Sequence, residues 1–237
     1  MSALDELLHD LVVANRILAH EHVVDAYGHV SFRHPDRPDR FFLSVSRSPE
    51  LVTRDDLVEF DLDCNPIDQR GREIYIERPI HGGIYQARPD IQSVIHNHSH
   101  EVIPFSISKT TKLRPVFHTA ASIGAQIPVW DIHEKFGDTN LLVTTMPQGH
   151  DLAKTLGQSN VALMRGHGCA VAGKSLYDAV HTAIFLQDNA KLQAAGLRLG
   201  EITYLTEGEV AKAGHNPQSR RSRAWEYWSR RCGADRL

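Results

Sequence analysis

Leu4, Leu7, Leu8, Leu11, Ala14, Ile17 and Leu18 recur at helical spacing, so residues 4–22 are predicted to form an amphipathic helix, with Asp5 and Glu6 suiting its N-terminus. The period then changes. After a break at Asp25-Ala26-Tyr27-Gly28, the segment His29-Val30-Ser31-Phe32-Arg33 alternates as a strand does. Residues 34–39 read as a turn, and Phe41-Phe42-Leu43-Ser44-Val45 as the second arm of a hairpin. Leu57 to Leu62 predicts a further strand ending at the Asn65-Pro66 turn. Ile80, Ile84 and Tyr85 predict a short helix stopped at Arg88-Pro89. The β-branched run Gln92-Ser93-Val94-Ile95 then leads, as a strand, into His96-Asn97-His98.

Downstream, Val102 to Ile107 predicts a short helix, Leu113 to Phe117 a strand, Ala120 to Ile123 a helical turn and Leu141 to Val143 a small strand. Gln148 to Leu156 predicts a helix ended by Gly157. Val161-Ala162-Leu163-Met164 and Ala170-Val171-Ala172 read as apolar strands. Gly173-Lys174-Ser175 opens the longest helix, with Ala179, Ala183, Leu186 and Ala190 on one strip, ending near Gly196 or Gly200. Beyond Glu207 the chain turns polar, with a basic-aromatic stretch from Arg220 to Arg231. There is no repeat, low-complexity tract or composition break arguing for two domains. The pattern predicts one α/β domain over residues 1–208, with short, largely antiparallel strands and helices packed on them, and a tail over 209–237.

At 237 residues, with 41% hydrophobic and 23% charged positions, the composition is that of an ordinary soluble globular protein. The formal charge of −3 and a pI near 6.6 carry no nucleic-acid or membrane signature, and Arg220-Arg221 is too local to change that. No run of roughly 18 apolar residues predicts a membrane span. The N-terminus, acidic and then amphipathic, is wrong for a signal peptide. Cys64, Cys169 and Cys232 show no paired spacing, which predicts reduced thiols and a cytoplasmic location.

The candidate chemistry begins at His96 and His98. Alternate residues of a strand project to one face, so both imidazoles can reach one divalent ion at about 2.0–2.2 Å. The candidate third ligand is His167, set between Gly166 and Gly168, where the backbone can approach closely. Three histidines with open positions form a catalytic rather than a structural arrangement. In a chain with 15 histidines the same spacing also arises as two polar residues on a solvent face. Cys169 reads as a small buried filler in preference to a thiolate ligand.

Glu77, Arg78-Pro79-Ile80-His81-Gly82-Gly83-Ile84-Tyr85, Arg88-Pro89-Asp90, His96-Asn97-His98 and Gly166-His167-Gly168 together resemble the class II aldolase/adducin superfamily, and Gly28 to Arg33 looks like its glycine-plus-strand opening. The likeness runs from about residue 7 to residue 200. It implies a three-layer α/β/α fold with a central, largely antiparallel sheet and a homotetramer with active sites near subunit interfaces. It also implies one divalent ion per subunit, zinc or manganese, on His96, His98 and His167, with Glu77 as the acid–base residue beside it. The sugar-phosphate aldolases of that superfamily hold phosphate with small residues where this chain has Gly28-His29, Ser46-Arg47 and Tyr75-Ile76, and their catalytic tyrosine is missing near Val116-Phe117-His118.

The substituted positions resemble instead the branch that decarboxylates hydroxylated aromatic or heteroaromatic acids, such as 3-hydroxy-2-methylpyridine-4,5-dicarboxylate and dihydroxyphthalates. That resemblance implies a metal-dependent decarboxylase of an aromatic acid, with a metal chelating ring hydroxyl and carboxylate, Glu77 and His29 catalytic, and Arg47, Ser46, Tyr75 and His118 around the substrate. Each residue also has a plainer reading. Glu77 suits a helix N-cap or a partner for Arg78, Arg47 a surface turn, His29 the polar face of a strand, and His118 surface or core filling. The alternatives to decarboxylation are an aldolase cleaving an unphosphorylated hydroxy-keto acid and an adducin-like non-catalytic module.

Overall fold

The computed structural model describes residues 2–213 and 223–234; Arg220 and Arg221 of the expected tail lie outside them. In chain order the elements are α1 (Ala3–His20), β1 (His29–Arg33), β2 (Arg40–Ser44), β3 (Leu57–Asp61), α2 (Pro79–Ala87), β4 (Ser93–Asn97), α3 (Ile103–Ile107), β5 (Val129–Trp130), α4 (Ile132–Phe136), α5 (Met146–Leu156), β6 (Val161–Met164), β7 (Gly168–Gly173), α6 (Leu176–Leu197), α7 (Glu207–Ala213) and α8 (Arg223–Arg231). The strands form one seven-stranded sheet in the order β3-β2-β1-β4-β7-β6-β5. Every neighbouring pair is antiparallel except β5 with β6.

Alternation along the strands divides the interior into two cores, one on each face of the sheet. Val30, Phe32, Ile95 and Val171 turn to the side covered by α1, α6 and α8, where Leu11, Ile17, Leu186 and Trp228 meet them. Phe41, Phe60, Val94 and Ala170 turn to the other side, against Ile80 and Ile84 of α2 and Leu152 of α5. The result is the expected α/β/α arrangement, with β1, β4 and β7 central and buried throughout.

Two segments differ from the pattern-based expectation. Leu113 to Phe117 is not a strand, because side chains of α6 take over its backbone hydrogen bonds. The Arg114 amide donates to Gln193 Oε1 at 2.9 Å and the Val116 amide to Asn189 Oδ1 at 2.8 Å, while Asn189 Nδ2 donates to the Arg114 carbonyl at 2.8 Å. Leu141 to Val143 is an irregular loop with Leu141 at φ +67°. Its Val143 amide donates to the Glu77 carboxylate at 2.9 Å instead of to a neighbouring strand.

Candidate active site

The site is assembled where β1, β4 and the β6–β7 turn meet. His29 of β1 stands directly opposite His96 of β4 in the antiparallel register. His98 follows one residue past the end of β4, on the parity of His96. His167 comes from the turn Arg165-Gly166-His167, which Gly166 enters at φ +65°. The turn is pressed onto the end of β4: a Cβ at Gly168 would collide with the carbonyl oxygen of Asn97. Only glycine there lets His167 approach the other two histidines this closely.

His96 Nε2 lies 3.0 Å from His98 Nε2, and His167 Nε2 lies 3.1 Å from the same atom. Glu77 Oε2 is 3.6 Å from the Nε2 atoms of both His96 and His167. All four ligand atoms fall within 4.8 Å of one another. His96 donates its Nδ1–H to the Cys169 carbonyl at 3.0 Å, which leaves the Nε2 lone pair facing the cluster. Nitrogens bound tetrahedrally to a zinc-sized ion stand about 3.3–3.4 Å apart, close to the spacing seen. Three nitrogens turned to one point with a carboxylate beside them fit a divalent cation.

Glu77 sits in the turn just before α2 and is buried. Burial pushes its carboxyl upward, but the His96 and His167 imidazoles outweigh that and hold it well below the usual carboxylate range. His98 is drawn down to about 4 by burial and by its two histidine neighbours.

Beside the cluster opens a hollow of about 430 Å³. His98 and Glu77 of the cluster line it together with His29, Ser46, Arg47 and Tyr75. Arg47 is exposed and reaches Asp56 Oδ1 at 3.3 Å. Tyr75 donates its hydroxyl to the Arg47 carbonyl, and its ring packs 4.6 Å from that of His29. His29 is buried, and burial, followed by the nearby His81 and His96 rings, keeps its imidazole well below the ordinary value.

His118 is not brought to this hollow by its own chain. It is exposed on the 3-10 turn His118–Ile123, with Nε2 3.2 Å from Thr119 Oγ1. Asn97 points to the opposite sheet face, where its Oδ1 accepts from the Ser99 amide at 3.0 Å and the Cys169 thiol at 3.3 Å. Burial pushes that thiol up to about 12, so Cys169 is a neutral core residue and not a ligand. Arg165 pairs with Asp131 at 2.5 Å. The tail aromatics Trp225 and Trp228 pack in the α1/α6 core, against Tyr177 and His181, away from the hollow.

Sequence reasoning missed Asp56, which tethers Arg47, and Val143, whose amide holds Glu77. Both contacts depend on tertiary folding and leave no local trace. It gave no role to His81, named only as part of a motif, which hydrogen-bonds His29. There a signal existed: a histidine and Tyr85 four residues apart on an otherwise apolar helix face.

The family model for the class II aldolase and adducin N-terminal domain matches residues 9–194. Among named relatives, decarboxylase tropJ of Talaromyces stipitatus is 34% identical over 238 residues, covering 90% of this chain and 89% of that protein. The 3,4-dihydroxyphthalate decarboxylase of Arthrobacter keyseri is 27% identical over 192 residues, covering 77% and 75%. In fold, the chain is similar to an aldolase II superfamily protein from Pseudomonas syringae, with TM-score 0.80, 23% identity, and coverage of 99% of this chain and 95% of that one.

Proposed function

Because the chain belongs to the class II aldolase and adducin family, we propose that it is a lyase of the decarboxylating kind, releasing CO2 from a hydroxylated aromatic or heteroaromatic carboxylic acid with the help of one divalent ion, zinc or manganese. The observation that carries the reading is the cluster of three Nε2 atoms and the Glu77 carboxylate opening onto a hollow that Arg47 lines. Two relatives that carry decarboxylase names support it. So does Tyr75, which stands where phosphate-binding serines would be needed and whose hydroxyl is already engaged by the Arg47 carbonyl.

A cation held by His96, His98 and His167 supplies Lewis acidity toward a ring oxygen and a template for adjacent hydroxyl and carboxylate groups. Glu77, whose carboxylate stands beside the three Nε2 atoms, takes the proton of the ring hydroxyl. It then delivers that proton to the ring carbon bearing the carboxylate, giving a keto form that is no longer aromatic. The carbon–carboxylate bond breaks, its electron pair restores the aromatic ring with the oxygen anionic, and CO2 departs. The ring oxygen regains a proton from water. Arg47 offers a planar two-pronged donor to a second carboxylate that stays on the product. His29, whose ring packs against Tyr75, hydrogen-bonds an anionic oxygen of the substrate.

Incubation with hydroxylated benzene and pyridine carboxylic acids, following CO2 and aldehyde together, tests the proposal. CO2 release is expected, with one solvent deuterium at the former carboxyl position when the reaction runs in D2O. Aldehyde release from hydroxy-keto acids, without CO2 from any aromatic acid, would overturn it in favour of retro-aldol cleavage.

A further inference from the structure

A buried hydrogen-bonded chain runs behind His29 and takes no part in the steps above. His29 Nδ1 lies 2.6 Å from His81 Nε2, His81 Nδ1 lies 2.6 Å from Ser31 Oγ, and Ser31 Oγ lies 2.7 Å from the Tyr85 hydroxyl. All four residues are buried. Neither imidazole has a carboxylate as a hydrogen-bond partner among the described residues, and charging a buried imidazole without one is costly. Hydrogens can therefore be assigned along the chain by requiring every buried donor to find an acceptor.

Ser31 Oγ is the one hydrogen-bond acceptor of the Tyr85 hydroxyl among the described residues, so the phenol hydrogen is assigned to that bond. The single hydrogen of Ser31 then has two acceptors to choose between, His81 Nδ1 at 2.6 Å and the Val94 carbonyl at 3.5 Å. The shorter bond is far the stronger. With Nδ1 accepting, the proton of His81 sits on Nε2 and is donated to His29 Nδ1. The proton of His29 is thereby placed on its own Nε2, the ring nitrogen left for the hollow that His29 lines.

The geometry points to a tautomer-setting relay: Tyr85, Ser31 and His81 are positioning residues that hold His29 as a neutral Nε2–H donor for an anionic oxygen of the substrate. The role given to the hollow rests on the function proposed above. The relay orients and does not conduct. Its far end is the Tyr85 phenol, which is buried away from solvent and which burial drives well above the ordinary value. In the reverse orientation the serine hydrogen would span 3.5 Å, and a lone pair would face the substrate oxygen and repel it.

Neutron diffraction from the deuterated, metal-loaded protein tests the relay without any turnover. Deuterium is expected on Nε2 of both His29 and His81; deuterium on His29 Nδ1 would overturn the proposal. In steady-state kinetics, Ser31→Ala should raise KM for the acid about tenfold with a smaller change in kcat, and Ser31→Thr, which keeps the hydroxyl, should recover most of the loss. Equal KM in the wild type and Ser31→Ala would also overturn it. If no aromatic acid is turned over, the proposed reaction fails, while the deuterium positions still decide the relay. If the variants do not fold, the wild-type crystal decides alone.

Discussion

Glu77 joins two networks through its two oxygens. Oε1 accepts the Val143 amide, and Oε2 faces the Nε2 atoms of His96 and His167. A glutamine can keep the first contact but cannot carry a proton, so Glu77→Gln separates architecture from chemistry. The variant should bind metal as the wild type does and lose about 10²–10⁴-fold in kcat. Elemental analysis beside steady-state assays checks this, and a loss below tenfold with full metal would remove Glu77 from the proton path. At this scale the sequence was readable where chemistry repeats at a structural period. His96 and His98 follow the two-residue period of a strand, and His167 is marked by its flanking glycines. The tether from Asp56 to Arg47 was not readable, because it joins separate segments through a side-chain contact that no local pattern encodes.

Among the elements, the β6–β7 hairpin decides whether the third histidine arrives. Gly168 packs against the Asn97 carbonyl, so Gly168→Ala must push the strand ends apart. Overpacking of this kind costs about 1–3 kcal/mol, and here the displacement falls on His167. Gly168→Ala should melt several degrees lower and bind the cation more weakly, as calorimetry and a chelator competition would show. Unchanged metal affinity would mean that the turn position is not critical. Sequence pattern located α1 by an apolar period that matches its buried face, and β1 and β4, which are buried on both faces, by strand-forming residues bounded by breaks. Leu113 to Phe117 has strand-like residues, yet Asn189 and Gln193 of α6 supply the partners a neighbouring strand would have given. Such substitution of side chains for a ladder cannot be seen in the segment's own sequence.

For the molecule as a whole, the two cores separate stability from chemistry. Glu77, His96, His29 and the hollow belong to the side faced by α2, whereas Trp228 of α8 is buried on the side of α1 and α6, near Phe185 and His181. Trp228→Ala should therefore lower stability by about 3–5 kcal/mol while leaving kcat of the folded fraction within about twofold, measured by denaturant titration and activity at low temperature. A proportionate fall in kcat would show that the helical layer reaches the site. The most direct test of the account is the metal content of the purified protein, measured for the wild type and for His167→Ala. About one zinc or manganese ion per wild-type chain is expected, with the ion and CO2-releasing activity both lost in the variant. A folded wild-type protein that takes up no divalent ion even when offered it would contradict the central claim and leave the cluster a structural feature of a non-catalytic module.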